Sequence, residues 1–306
     1  MNDEIIVSDS ELVGPAVVHG DRHPSEWLMT IRDAWRMGRT KVGAGIFACI
    51  VLLAVVGPWI APYSPTEFVA PPYSSPSPPT MWLGSDYIGH DVLTRVLYGG
   101  RTVIVLALAA TVIGLGLGVT LGLITGYARR WIDESVMRIL DVVLAFPQIV
   151  LTLLFVSIIG PRLWLIVLMV GISHAPRIAR VCRAATLEVA QRDFVHAAEA
   201  LGVARRKIVF NEILPSVTSP LLVEFGLRLT YSIGLIAALS FLGFGLQPPA
   251  ADWGLMINEN RIGIVIQPWP VFVPVLLIGI LTIGTNLIAD GLGRALIGIE
   301  RDTGVG

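Results

Sequence analysis

The sequence predicts an all-α membrane protein with six transmembrane helices, and three observations predict it. Of the 306 residues, 54% are hydrophobic and only 15% charged, with a mean hydropathy of +0.72; soluble domains carry about 25% charged residues. Six apolar runs reach about 20 residues. That is the length a helix rising about 1.5 Å per residue needs to cross a hydrocarbon core about 30 Å thick. Between the fourth and fifth runs lies a polar, charged island, FVHAAEALGVARRKIVFNEILPS at 194–216, which a lipid-buried segment would not carry.

The elements follow in order. Residues 1–41 are polar, with Asp3, Glu4, Asp9, Glu11, Asp21 and Glu26. No basic region leads into a short apolar run with a small-residue cleavage site, so no cleaved signal peptide is predicted. Trp27, Ile31, Ala34 and Trp35 stand among basic residues up to Lys41. They fit either an amphipathic helix along the membrane surface or a polar tail with anchoring tryptophans. A six-helix domain at 42–291 follows, then a tail at 292–306. The first span, 42–60, ends among Pro58, Pro62 and Pro65. The second, 102–127, has Gly114, Gly116, Gly118 and Gly122. The third, 136–159, contains Pro147, and the fourth, 163–181, has Pro176 near its end. The fifth runs over 217–244 and the sixth over 270–289. Proline inside a span predicts a kink. Gly114, Gly118 and Gly122, four apart, predict a small face for close helix packing. Cys49 and Cys182 lie in or beside apolar runs and read as small buried hydrophobes rather than a disulfide.

The basic residues set the orientation. With the N-terminus inside, 16 of the 22 Lys and Arg fall in internal regions, while only Arg95, Arg101, Arg162 and Arg261 fall outside. Both termini are therefore predicted inside. The long external loop, 62–101, begins Pro- and Ser-rich; its second half looks ordered. Asp91 there caps a predicted helix that carries Val92, Leu93, Val96 and Leu97.

The island reads as a short helix with a small-residue face at Ala197 and Ala198, a break at Gly202, and a basic helix through Arg205, Arg206 and Lys207. Ile213, Leu214 and Pro215 close it, with Pro215 as the stop. Small residues on a helix face let another surface approach the backbone, which suits docking of a soluble partner. The string resembles the cytoplasmic coupling loop of ATP-binding-cassette (ABC) importer permeases, E-A-A-x-x-x-G-x(9)-I-x-L-P, here spanning 182–216 with its flanks. Two further segments resemble the dipeptide, oligopeptide and nickel permeases of that family. One is LGSDYIGHDVLTRVLYGGRT at 83–102, with Gly84, Asp86, Gly89, Asp91, Arg95, Tyr98, Gly99 and Arg101. The other is LSFLGFGLQPPAADWGLM at 239–256. The order and spacing match the "C" permease component over about two thirds of the chain.

The resemblance implies a type I ABC importer permease fold in a bacterial cytoplasmic (inner) membrane. It implies a second homologous permease completing the path, two ATPase subunits holding ATP and Mg, and a solute-binding protein delivering peptides. Nickel, glutathione or haem-like ligands are alternative cargoes. No cofactor, metal or nucleic acid is expected on this chain. In agreement, no G-x-x-x-x-G-K-[ST] phosphate loop occurs; the two lysines, Lys41 and Lys207, follow no such glycines. Two positions depart from the family pattern. His196 replaces the usual Glu of the coupling loop, with an acid following at Glu199, and His90 replaces an external Arg. Either Glu199 takes over a polar contact or the ATPase contact differs.

Two pairs of opposite charge fall inside or at the ends of spans. Arg138 and Asp141 are spaced i, i+3, and Glu224 and Arg228 i, i+4. An unpaired charge at mid-membrane costs about 2.5–3.5 kcal/mol on insertion scales, so each is expected to pair within its helix. Glu224–Arg228 is also a candidate for an inner gate or a permease–permease contact. A secondary transporter lacks support, because no inverted repeat and no mid-membrane carboxylate chain is visible. For an intramembrane enzyme, His174 is the only spanning histidine and no ligand or nucleophile stands at readable spacing from it.

Overall fold

The computed structural model describes residues 26–127 and 130–303, so the first 25 residues of the predicted tail lie outside the described residues. The chain is helical, with only isolated β-bridges among the described residues. The helices are α1 (Glu26–Arg36), α2 (Gly38–Ile60), α3 (Val92–Tyr127), α4 (Arg130–Ala145), α5 (Gln148–Ile159) and α6 (Leu163–Ala190). They continue as α7 (Asp193–Ala200), α8 (Arg205–Ile208), α9 (Leu214–Ser216), α10 (Thr218–Phe241), α11 (Trp253–Asn260) and α12 (Trp269–Thr303). Among the described residues five helices are long and apolar enough to cross a membrane, and α4 with α5, taken as one bent span, would be a sixth.

Length separates spanning from protruding helix. At about 1.5 Å per residue, the 36 residues of α3 reach about 54 Å, well beyond a core of about 30 Å. The predicted boundary at 101/102 is therefore not a break. The helix capped by Asp91 runs straight into the second span, because Gly99 and Gly100 serve as a notch for Trp253 rather than as a stop. A Cβ on either glycine would stand 2.8 or 2.6 Å from its indole. Likewise α6 continues past 181 to Ala190, so the predicted coupling loop begins inside it. The predicted tail at 292–306 is helical through Thr303; Asp290 does not end the span, since it accepts from Arg294 one turn on (3.2 Å) and from Arg39 of α2 (2.9 Å).

The third predicted span departs most. Its two halves meet at 83°. Pro147 has no N–H to continue α4 and disfavours helical geometry at Phe146; it serves instead as the N-cap of α5. The predicted Arg138–Asp141 pair does not form: Asp141 bonds Arg180 of α6. Cys49 is exposed on α2, against expectation, while Cys182 is buried and both are free.

The centre of the fold is the packing of α3 on α6. Gly114, Gly118, Gly122 and Gly126 recur every four residues, so one stripe of α3 has no side chains. Against it lie Gly171 and His174, then Ile178, Cys182 and Thr186. A Cβ would meet Ile178 Cβ at 2.5 Å from Gly118, Cys182 Cβ at 2.5 Å from Gly122 and Thr186 Cβ at 2.6 Å from Gly126. Such backbone approach replaces the hydrophobic drive that lipid cannot supply between spans. Around the N-terminal half of α3 and α6 pack Val92, Val96, Ile166, Val170, Ile233, Leu239, Trp253 and Met256; around their C-terminal half, Leu123, Ile178, Cys182, Val195, Ile208 and Ile213. The N-terminal α1 lies against this body, with Thr30 and Ala34 buried and Thr30 Oγ1 bonded to Ser219 Oγ at 3.1 Å.

Gly118→Leu is therefore expected to destabilise the purified protein by about 3 kcal/mol through overpacking. Gly116→Ala, at a glycine with open space around it, is expected to leave stability unchanged or slightly raised. Thermal unfolding in detergent separates the two; equal melting of Gly118→Leu and wild type would contradict the stripe.

Candidate coupling surface and external cap

The island folds into a compact appendage on the C-terminal ends of α3 and α6. Helix α7 ends in a Schellman motif: Gly202 N–H donates to Glu199 O (3.0 Å) and Val203 N–H to Ala198 O (3.1 Å). That motif needs a left-handed residue after the helix, and Gly202 supplies it at φ +73°. Its space is open, so the glycine answers a backbone demand rather than forming part of a small-residue face. Pro215 does not stop the helix. Helical backbone runs on through a π turn, Val209–Ile213, and past Pro215 to Ser216, one residue further.

Side chains of this segment divide into anchors and surface. Val195, Ile208, Ile213 and Val217 are fully buried in one apolar cluster with Leu123 of α3 and Ile178, Cys182 and Val189 of α6; Leu214 is half-buried. Outward stand His196, Ala197, Pro215 and, as an apolar ridge seven residues apart, Phe194 and Leu201, with Leu201 83% exposed; Phe210, also exposed, borders a groove with Val119, Leu123 and Tyr127 of α3. Ala198 is half-buried. Glu199 takes over an internal contact: it accepts from Tyr127 Oη at the end of α3, whose ring lies 6.0 Å from the Arg205 guanidinium. His196 Nδ1 is 3.8 Å from the other Glu199 oxygen.

At the opposite end, the loop after α2 and the segment around α11 close into a cap tied by a buried charge cluster. Asp91 caps α3 as predicted, its Oδ2 accepting from Thr94 N (2.8 Å) and Oγ1 (2.7 Å). Asp86 Oδ1 accepts from the backbone N–H of Ile88, Gly89 and His90, each at 2.9 Å. Its Oδ2 takes Arg95 Nη1 at 2.5 Å and lies 3.1 Å from His90 Nδ1. Arg95, 1% exposed, also donates to Ala250 O (3.0 Å) and lies 2.9 Å from Glu259 Oε2, at an angle too poor for a hydrogen bond. Burial works to raise the Asp86 carboxyl, but Arg95 and the backbone donors outweigh it and hold it below its ordinary value. Burial pushes Glu259, Asp252 and Asp91 up, only partly opposed by their donors, and pushes Tyr87 to about 12 with help from Glu259. Arg101 instead supports the end of α2, where its Nε and Nη2 donate to Ala54 O (2.9 Å) and Val55 O (2.7 Å). Pro58 has no N–H to offer the carbonyl of Ala54, four residues back, and Arg101 fills that gap.

Sequence reasoning missed the partners on α11. Glu259, Asn260 (accepting from Tyr87 N, 2.9 Å) and Trp253 (donating to Val96 O, 2.9 Å) complete the cap. The excess of acids over Arg95 in these segments was the available signal. In the membrane body, Glu224 and Arg228 pair as predicted at 2.9 Å, both under 9% exposed, and the Arg228 guanidinium lies 5.4 Å from the Tyr231 ring.

With this geometry in view, known proteins place the chain. Residues 118–298 match the family described as the binding-protein-dependent transport system inner membrane component, and residues 31–79 match the N-terminal transmembrane domain of oligopeptide transport permease C. The glutathione transport system permease protein GsiD of Pectobacterium atrosepticum is 36% identical over 270 residues, covering 87% of this chain and 90% of that protein. The dipeptide transport system permease protein DppC of Alkalihalophilus pseudofirmus is 35% identical over 274 residues, 89% and 90% respectively. A chain of the inward-facing MetNI methionine ABC transporter aligns with a TM-score of 0.52 at 19% identity, covering 71% of this chain and 99% of that one. The fold is thus that of an ABC importer permease. The chain belongs to the binding-protein-dependent inner membrane component family, as a multi-pass, non-catalytic transport subunit.

Arg95→Met would leave Asp86 and Glu259 as buried carboxylates without their cation, which costs about 3–5 kcal/mol. The expected result is a large fall in melting temperature and ready proteolysis of the 62–91 loop. Because Asp86 titrates below its usual 3.8, its contribution is present at neutral pH and is lost only as pH falls below that value. A wild-type-like melt at pH 7 would contradict the cap's dependence on this cluster.

Proposed function

We propose that this chain is the permease subunit of a peptide importer, docked to its ATPase through the segment from α7 to α9. The observation that carries the reading is the coupling surface. An apolar ridge at Phe194 and Leu201 faces outward, while Val195, Ile208 and Ile213 root the same segment in one buried cluster with Leu123 of α3 and Ile178 and Cys182 of α6. A push on the ridge is then delivered to two spanning helices rather than absorbed by a loop. On this reading two ATPase subunits bind ATP and Mg and press on the ridge. A second homologous permease completes the path, and a solute-binding protein delivers cargo at the cap. Closure of the ATPases rocks the pathway between discrete packed states.

The segment carrying Arg205, Arg206 and Lys207 would face the cytoplasm of a bacterial cell, beneath the cytoplasmic (inner) membrane, in line with the basic-residue bias. The start of α1 and the inner end of α12 lie on that same side, beside Ser219 and Asp290, which supports cytoplasmic termini. Peptides as cargo are supported by the relatives named for dipeptide and glutathione transport; glutathione is itself a tripeptide, so the two belong to one chemical class.

Leu201→Asp is expected to leave the protein in the membrane while abolishing ATPase co-purification and lowering trialanine uptake at least about tenfold, since a charge at the centre of an apolar contact costs about 1.4 kcal/mol or more. Normal uptake would overturn the docking assignment. Competition of trialanine uptake by glutathione separates a broad tripeptide importer from one that excludes it.

A further inference from the structure

Apart from the cap and the coupling surface, the chain holds a cavity in its membrane body whose wall sets neutral polar groups among the apolar side chains of Leu227, Leu235 and Ala238. A space of about 500 Å³ opens between α5, α10 and α12 and is lined by Gln148, Thr230, Tyr231, Gly234, Thr282 and Asn286 among others. Tyr231 stands 13 residues past Thr218, and Thr282 13 residues past Trp269. Both are thus about 20 Å into helices of opposite direction, near mid-membrane.

Helix α12 has two outward sides of different chemistry. Phe272, Leu276, Ile280 and Ile283 make an exposed apolar stripe, suited to lipid. Gly279, Thr282 and Asn286, at i, i+3 and i+7, lie on the adjoining side toward α10, and Asn286 is exposed. Tyr231 is 56% exposed rather than placed at an interfacial belt, the usual position for Tyr in spans. Neither the Tyr231 hydroxyl nor the Asn286 amide has a hydrogen-bond partner among the described residues. Polar groups left in hydrocarbon cost several kcal/mol, so this side faces water, a polar solute or a polar partner surface rather than lipid.

Gln148 is held for such contact from behind. Its Nε2 donates to Ser173 O at 3.2 Å and lies 3.4 Å from His174 Nδ1. His174 is fixed in turn by Ser232 (3.0 Å), which accepts from Thr111 (3.1 Å). This leaves Oε1 of Gln148 as an acceptor for the cavity. Gly234 forms a floor where a Cβ would meet nothing within 4 Å. None of the lining residues is charged; the neighbouring Arg228 is neutralised by Glu224 at 2.9 Å.

We infer that this cavity is this chain's wall of the solute path, where Gln148, Tyr231 and Asn286 hydrogen-bond the main-chain amides of a passing peptide. Neutral donors and acceptors match an amide without selecting its side chains, and the lack of fixed charge lets the solute leave. The inference rests on the importer reading for the identity of the solute, but not for the presence of water at this face.

The test is cysteine accessibility in the assembled importer, in native membranes, on a Cys49→Ser, Cys182→Ala background. Tyr231→Cys and Asn286→Cys are expected to react with a membrane-impermeant sulfonated maleimide at least about tenfold faster than Ile283→Cys, because only a watered face ionises a thiol. ATP with vanadate should change their rates, and trialanine with the binding protein should slow them. Asn286→Leu should cut trialanine uptake several-fold without loss of ATPase co-purification. Rates as slow as at Ile283→Cys, or a disulfide or crosslink to the second permease, would overturn the inference by showing a packed face. Fast labelling that neither ATP with vanadate nor trialanine alters, with normal uptake by Asn286→Leu, would also overturn it. If wild type imports no trialanine, the peptide reading fails, while the labelling rates and their response to ATP with vanadate still decide whether this face lines a path.

Discussion

Every functional surface of this chain hangs on the approach of α3 to α6. Four glycines spaced by four remove the side chains from one stripe of α3, and α6 fills the groove with Ile178, Cys182 and Thr186. Both helices are longer than the membrane is thick, so the same pair serves two sides. One end carries the helix capped by Asp91 and the notch for Trp253; the other receives Val195, Ile208 and Ile213 from the segment between α7 and α9. Closely packed interiors respond to force by shifting as blocks rather than deforming smoothly. A block that joins the coupling segment to the external cap is what an importer needs to turn a push on one side into an opening on the other.

Electrostatics and packing divide the labour along this block. In the cap, Arg95 is surrounded by Asp86, Glu259 and Ala250 O, and the cluster links the 62–91 loop to α11 across more than 160 residues of sequence. In the membrane body, Glu224 and Arg228 cancel one another within one turn. Beside them the cavity carries no charge, and its polar groups are neutral ones that water or an amide can satisfy equally.

Much of this was legible in the amino-acid sequence because membranes leave few choices. Hydropathy located the spans, Asp91 announced a helix start, and the spacing of Gly114, Gly118 and Gly122 announced close packing. What hydropathy could not see is where a helix continues into water: α3, α6 and α12 all overrun their predicted ends, since intrahelical pairs such as Asp290–Arg294 and packing such as Trp253 on Gly99 support them outside the apolar window. Pro147 signalled a disturbance but not its size, because whether a proline bends a span or divides it depends on what the flanking turns pack against. Pairing was legible only within a helix. Glu224–Arg228 formed, whereas Asp141 chose Arg180 and Arg95 chose Glu259, partners that only the tertiary fold brings near. Gly202 was visible as a break, yet its reason, a left-handed cap, belongs to backbone geometry.

The central claim, that the coupling segment and the spanning pair move as one body, is tested most directly by a distance. Spin labels at Asn211 in the coupling segment and Trp164 at the outer end of α6, both exposed, would be measured in the assembled importer with and without ATP and vanadate. The account predicts an unchanged distance within this chain while distances to the second permease shift. A change of several ångströms within the chain, with the permease–permease distance constant, would contradict it.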